Sequence, residues 1–457
     1  MLAGEKQKFL GQGSYGCVMK PGYDCRGNTN KLKNSVTKIT EINFASKNEL
    51  LIGNIIKKFN HNNKKIYKFH FAPVYKYCII EFNRLAKLDI DKCENLLDNI
   101  NYPFYDLYSN FIKTKFYMFY IRYIYGAKTI TKFLKSYLYV PKNEITINYI
   151  YTFHYLLQGI LLLQKNNIVH NDLFDRNIIV DNKLGVPIII DFGLSYYHPK
   201  LYSRKNKKIY IKYIHKSFFD FRSDSYQYNI DKRFIIFFLH NNNEYFLNKV
   251  TKKYQKNELT QELLDIFIDD ACESILNSES LKKIFENDEI EIYRKSMSEF
   301  YGRFLNKSDY PTYFSILHEM LPIVFEYTDI YSLSVEYIKI YNRLLLAYDK
   351  NNILYNLFLQ LFKKVLLPLP EYRLNTLQIK NIIEFLIQEI NSFDLKNYSD
   401  SYSKFIRDFD RLLVSNNIQR EQFFFKGYAF IDFEKTLSVD NITIFKGYHI
   451  HHKKFIY

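Results

Sequence analysis

The sequence predicts an α+β fold in two lobes: a small β-rich N-terminal lobe with one helix, and a larger, mainly helical C-terminal lobe. Three observations lead there. The first 125 residues hold short aromatic and β-branched runs around a glycine-rich turn. From Glu144 onward, apolar residues recur at helical spacing. One pair of short strands interrupts that helical part, directly after a long helix.

In chain order, Phe9-Leu10 and Cys17-Val18-Met19 flank the glycine-rich turn, and Ser35 to Ile39 reads as the next strand. Ser46-Lys47-Asn48-Glu49 has the S-x-x-E form of a capping box and opens an apolar-periodic helix through Leu50, Leu51, Ile55 and Ile56. Lys115 to Ile124 is aromatic-rich and strand-like, and Gly126 marks a lobe boundary. Glu144 to Gln164 carries Phe153, Leu156, Leu157, Ile160 and Leu163 on one helical face. Asn177 to Asp181 and Val186 to Ile190, separated by Asn182-Lys183-Leu184-Gly185, read as a hairpin. Phe234 to Leu239, Ile353 to Leu367 and Gln378 to Ile390 are further helix candidates, and residues 198–227 read as a long basic surface segment. Residues 396–457 form a tail with one small echo, Phe425-Lys426-Gly427-Tyr428 and Phe445-Lys446-Gly447-Tyr448.

Length and composition set outer bounds. A chain of 457 residues that is 47% hydrophobic and 25% charged has the composition of a globular protein of two or three folding units. No apolar run reaches the roughly 18 residues of a membrane span, and Met1 to Lys6 offers no apolar stretch for a secretory signal. Five scattered cysteines predict no disulfide framework and a reducing, cytoplasmic compartment. The 64 Lys+Arg against 48 Asp+Glu give +16. With 42 Tyr, 40 Phe and no Trp, the composition is that of an A/T-rich coding sequence, and this explains the lysine excess simply. A nucleic-acid surface is the competing reading, but no basic stripe interleaves with a nucleic-acid motif.

Four signals carry chemistry. Gly11-Gln12-Gly13-Ser14-Tyr15-Gly16-Cys17-Val18 is G-x-G-x-x-G-x-V, with Leu10 just before it. Its glycines let backbone N–H groups approach a phosphate closely. A dinucleotide-binding turn would open a helix next, but Pro21 argues for strand, turn and strand. Lys38 lies on the following strand, where an inward ammonium can neutralise phosphates if a carboxylate holds it; Glu49, 11 positions on, is that candidate. One rotamer of Glu49 cannot both cap the helix and pair with Lys38. His170-Asn171-Asp172-Leu173-Phe174-Asp175-Arg176-Asn177 places a carboxylate and an amide five apart on a loop. That spacing lets Asp172 face a hydroxyl while Asn177 reaches a metal ion. Asp191-Phe192-Gly193, at the end of an apolar strand, can aim an oxygen at Mg2+ on phosphates.

Taken together, these residues resemble the protein kinase superfamily. The resemblance is firm over residues 8–195 and thinner to about 395. It implies an N-lobe over 1–121, a hinge over 122–126 and a C-lobe over 127–395. The expected ligands are ATP and Mg2+, and the expected partner is a protein substrate, with Ser/Thr acceptors. Asp172, Lys38, Glu49, Asn177, Asp191 and Arg176 would be the catalytic set. Leu10, Gly11, Gln12, Gly13, Ser14, Tyr15, Gly16, Val18, Lys38, Arg122 and Ile124 would line the nucleotide, Arg122 and Ile124 through hinge backbone after a gatekeeper at Ile121. Asn177 and Asp191 would hold the metal. Gly16 to Pro21, with Cys25, looks like divergent serine/threonine kinases of large DNA viruses, which adds the infected-cell cytoplasm or the virion as locations.

Asp231 resembles the family's buried helix Asp that braces the catalytic loop, and Pro370-Glu371-Tyr372-Arg373 its late-lobe Arg motif. The chain also departs from the pattern. Asn171 replaces an Arg that pairs with a phosphorylated activation segment, and Phe174 replaces a Lys that neutralises the transferred phosphoryl. Arg176 stands where tyrosine-specific members carry an Arg. With no Ala-Pro-Glu motif, Arg373 lacks its usual Glu, and Asp220 or Asp224 are candidate substitutes. These departures keep a pseudokinase scaffold and a small-molecule kinase open as alternatives. His449, His451 and His452 read as a solvated tail, Asp269 to Glu273 as a charged helix face, and Tyr202, Ser203 and Tyr210 as surface residues that could accept phosphate.

Overall fold

A computed structural model of the chain describes residues 8–13, 16–20, 22, 24–26, 35–59, 67–81, 93–94, 115–124, 126–138, 142–201, 218, 226–241, 259–285, 287–344, 353–367 and 369–392, with six short tail segments between 423 and 456. Tyr202, Ser203, Tyr210, Asp220, Asp224, His451 and His452 lie outside the described residues. The chain divides into two compact units. The first comprises residues 1–127, 179–183 and 188–196, and the second comprises residues 128–178, 184–187 and 197–457.

In the first unit, β1 (Lys8–Gly13) and β2 (Gly16–Lys20) pair antiparallel, with Gln12 opposite Cys17. The glycine-rich segment is therefore strand, turn and strand. Gly16 is required by close approach, because a Cβ there would sit 2.2 Å from the Ile39 carbonyl oxygen. β3 (Ser35–Glu41) follows, then α1 (Phe44–Ile56), the single turn α2 (Tyr67–His70), β4 (Val74–Glu81) and β5 (Lys115–Arg122). The five strands form one antiparallel sheet ordered β1-β2-β3-β5-β4. Cys17, Met19, Ile39, Ile80, Phe116, Met118 and Tyr120 form a buried cluster on it, as alternate positions of neighbouring strands must when one face is dry.

Two corrections to the sequence reading fall here. Helix α1 begins three residues earlier than expected. Asn43 is its N-cap, accepting from the Ser46 N–H at 3.0 Å, while the Ser46 hydroxyl accepts from the Asn43 N–H at 3.0 Å. Ser46 thus closes the capping box from the far side, which leaves Glu49 free of capping. Four of the five cysteines are paired, Cys17 with Cys93 and Cys25 with Cys78, and Cys272 is a buried free thiol. Partners 76 and 53 residues apart lie within disulfide reach, with Cα separations of 5.6 and 5.9 Å. Linear spacing carries no sign of that.

The second unit opens with β6 (Lys128–Thr129), α3 (Ile130–Lys135) and α4 (Lys142–Lys165), followed by β7 (Ile168–Val169). The adjacent strands β8 (Ile178–Asp181) and β9 (Val186–Ile189) form the expected hairpin, turning at Gly185 with φ +68°. β10 (Tyr196–Tyr197) and the single turn α5 (His198–Leu201) precede α6 (Ile230–Asn241), α7 (Gln261–Asn277) and α8 (Asn287–Gly302). On α7, Asp269, Asp270 and Glu273 are exposed while Ala271 and Cys272 are buried, as read from the sequence. The 32-residue α9 (Tyr313–Leu344), α10 (Ile353–Leu366) and α11 (Thr376–Ser392) complete the helices.

Helix α9 is absent from the sequence reading. Pro322 interrupts its hydrogen-bond ladder, and apolar residues on all its sides blur the 3.6 period. It packs against α4 and α11. Tyr149 of α4 donates its hydroxyl to the Tyr337 carbonyl at 2.8 Å, and Tyr337 donates to Thr152 at 2.9 Å. In the tail, β11 (Phe423–Phe425), β12 (Tyr428–Phe430), β13 (Lys435–Val439), β14 (Ile442–Phe445), β15 (Gly447–His449) and β16 (Lys454–Ile456) pair as β11-β12-β15-β16 and β13-β14. There Phe425 is opposite Tyr428 within the first echoed tetrapeptide, and Ala429, just after it, is opposite Tyr448 of the second. Among the described residues no helix is long and apolar enough to cross a membrane.

Candidate active site

In the first unit the geometry centres on Lys38. Strand β3 holds it between Val18 of β2 and Phe119 of β5, and its Nζ lies 3.0 Å from Glu49 Oε2 and 2.9 Å from Asp191 Oδ1. One ammonium thus faces two carboxylates. Burial opposes the Lys38 charge, yet Asp191 and Glu49 hold the ammonium above its usual range. Burial pushes the Glu49 carboxyl up to about 7 against the pull of Lys38, with Asp191 adding repulsion.

Asp191 follows β9 with φ +60°, a left-handed conformation rare for a residue with a Cβ. A buried residue that the sequence reading missed secures this segment. Asn48, beside Glu49 on α1, donates its amide to the Gly193 carbonyl at 3.0 Å and also to the Ser195 carbonyl. Phe192 packs edge-on to Phe71, with ring centroids 5.9 Å apart. Leu10 is 42% exposed beside the turn, while Ser14 and Tyr15 at its tip lie outside the described residues. Gly11 has open space where a Cβ would stand. The Arg122 guanidinium donates to the Lys68 carbonyl at 2.8 Å, and Ile124 is buried.

In the second unit the loop after β7 holds Asp172. The Asn177 amide nitrogen donates to the Asp172 carboxylate and to its carbonyl, each at 2.7 Å. That commitment turns the amide oxygen of Asn177 away, available as a hard donor. Arg176 reaches the same carboxylate, 2.9 Å from Oδ1 and 3.2 Å from Oδ2. The Arg176 side chain is 69% exposed, so solvent screens its attraction. Phe174 lies beneath that guanidinium, 5.5 Å from ring centroid to Cζ.

The backbone N–H groups of the loop are held from α9 and not by Asp231. Asp329 accepts the His170 N–H at 2.7 Å and the Asn171 N–H at 2.8 Å, and Glu336 accepts the Asp175 N–H at 3.3 Å. Burial pushes the Asp329 carboxyl up, opposed by His170 and those backbone donors. This corrects the role expected of Asp231. At the start of α6, Asp231 instead pairs with Arg373 and accepts the Tyr301 hydroxyl at 2.8 Å. Arg373 therefore has an acid partner, Asp231. No sequence signal singles out Asp329, which lies in a mixed run with Glu326, Thr328, Ser332 and Ser334. Residues 5–232 match the family model described as protein tyrosine and serine/threonine kinase.

Proposed function

We propose that this chain, which belongs to the protein kinase superfamily through residues 5–232 and so carries a phosphotransferase domain, moves the γ-phosphate of ATP to a serine or threonine hydroxyl of a protein. The observation that carries the reading is the Lys38–Glu49–Asp191 cluster beside a glycine-rich hairpin. A lysine held at 3.0 Å by a helix carboxylate is set to offer its charge to α- and β-phosphates.

Asp172 would accept or orient the hydroxyl proton, and its aim is set by Asn177 and Arg176. Arg176 would also supply the charge that Phe174 cannot. Asp191 would offer a carboxylate and Asn177 an amide oxygen, each a hard oxygen ligand of the kind Mg2+ takes. Among the described residues no cluster of three or more His, Cys, Asp or Glu could hold a metal. A metal here would thus draw most of its ligands from phosphate and water, as Mg2+ does. When bound, Mg2+ neutralises charge on the phosphates. The run Gly16 to Pro21, with Cys25, supports a place among divergent kinases of large DNA viruses.

A second reading, tyrosine as acceptor, is favoured by the Arg176–Asp172 contact. Phosphoamino-acid analysis of a degenerate peptide library labelled by the purified chain with Mg2+-ATP separates the two. Phosphoserine and phosphothreonine are expected, and phosphotyrosine alone would establish the second. No labelled peptide, with a melting temperature unmoved by Mg2+-ATP, would leave a scaffold instead.

A further inference from the structure

Lys232 is fully buried at the start of α6, one residue after Asp231. Its Nζ lies 3.3 Å from the Asn171 carbonyl oxygen and 3.6 Å from the centroid of the Tyr228 ring. Its backbone N–H donates to the Asn229 side chain at 3.0 Å, which fixes where the side chain starts. Burial lowers its proton affinity well below that of an ordinary lysine, and the carboxylates of Asp172 and Asp329 pull it back up. A lysine in either protonation state still has N–H to donate.

The peptide unit between Asn171 and Asp172 consists of the Asn171 carbonyl and the Asp172 N–H. Lys232 holds the first, and the second donates to His170 Nδ1 at 3.3 Å. The preceding N–H, that of Asn171, is held by Asp329. Asn171 itself has φ +69°, a left-handed conformation that residues with a Cβ adopt sparsely. The direction of the Asp172 Cα–Cβ bond follows from the orientation of that one peptide plane. We propose that Lys232 is a positioning residue for the transfer reaction: by gripping the Asn171 carbonyl from α6, it fixes the peptide plane that aims Asp172. This rests on the kinase reading above.

The test uses the full-length chain with Lys232→Met, which keeps length and removes the donor, and Lys232→Arg, which restores a donor. Peptide phosphorylation is followed with Mg2+-ATP, and hydrogen exchange of residues 170–173 is followed in parallel. For Lys232→Met, kcat is expected to fall at least ~10-fold, with the KM for ATP within ~2-fold. Lys232→Arg is expected to recover most of that loss, and exchange across 170–173 to speed up in Lys232→Met alone. An unchanged kcat, or a loss shared equally by both variants, overturns the inference. If the wild-type chain transfers no phosphate, the kinase reading fails, while exchange still decides whether Lys232 orders the loop. Should Lys232→Met not fold, Tyr228→Leu removes only the ring under the ammonium. A smaller fall in kcat is then expected, and no fall overturns the inference.

Discussion

The Asp231 carboxylate and the Arg373 guanidinium, 142 positions apart in sequence, form a fully buried ion pair. It ties the start of α6 to the segment just before α11. Breaking one side of such a pair leaves an uncompensated buried charge, which typically costs 3–5 kcal/mol. Arg373→Ala is therefore expected to lower stability by about 4 kcal/mol, read by urea or thermal unfolding. A change below roughly 1 kcal/mol would mean that the pair is dispensable.

Asn48 predicts a kinetic effect. Its amide donates to the carbonyls of Gly193 and Ser195, which flank the turn after Asp191. Asn48→Ala leaves those carbonyls short of a partner, at a cost of about 1–3 kcal/mol, and loosens Asp191 against Lys38. The expected outcome is a fall in kcat/KM for ATP of roughly 10-fold, measured by steady-state kinetics with the melting temperature as control. Kinetics within a factor of about two of wild type would show that α1 holds the turn by other contacts.

The disulfides Cys17–Cys93 and Cys25–Cys78 close long loops within the first unit. In the chain-entropy picture each is worth about 4 kcal/mol. Thiol titration of the denatured, unreduced chain is expected to find one thiol, Cys272, and reductant is expected to lower the melting temperature. Five thiols without reductant would contradict the pairing.

His70 gives a pH dependence. Burial lowers its pKa from 6.5 to about 4. A histidine whose folded pKa is depressed stabilises the fold above its unfolded pKa, and that stability is lost as pH falls from 6.5 toward 4. The loss is at most about 3 kcal/mol. Because His70 adjoins Phe71, which packs on Phe192, the loss should be felt in the first unit. His70→Gln is expected to flatten that acid decline in melting experiments across pH 7 to 4. An identical slope in wild type and variant would place the decline elsewhere.

Much of the fold could be read locally. Pro21 ruled out a helix after the glycine-rich turn, and that segment is a hairpin. The eleven-residue step from Lys38 to Glu49 already joined a strand to the helix that follows it. What escaped was nonlocal. Asp329 meets His170 from 159 positions away, and nothing in its immediate neighbours marks it as a brace. The same distance hid the Asp231–Arg373 pair and both disulfides. Serine at position 46 is a misleading signal for a local reason, because Asn43 caps a helix equally well. Pro322 and apolar residues on several sides conceal the longest described helix.

The central claim is that Asp172 acts on the acceptor hydroxyl while Lys38 serves the nucleotide. Labelled-phosphate transfer by Asp172→Ala, run beside Mg2+-ATP binding by calorimetry, tests it most directly. Transfer should fall by at least ~10^3-fold with ATP affinity nearly unchanged. Transfer at the wild-type rate in that variant would contradict the account.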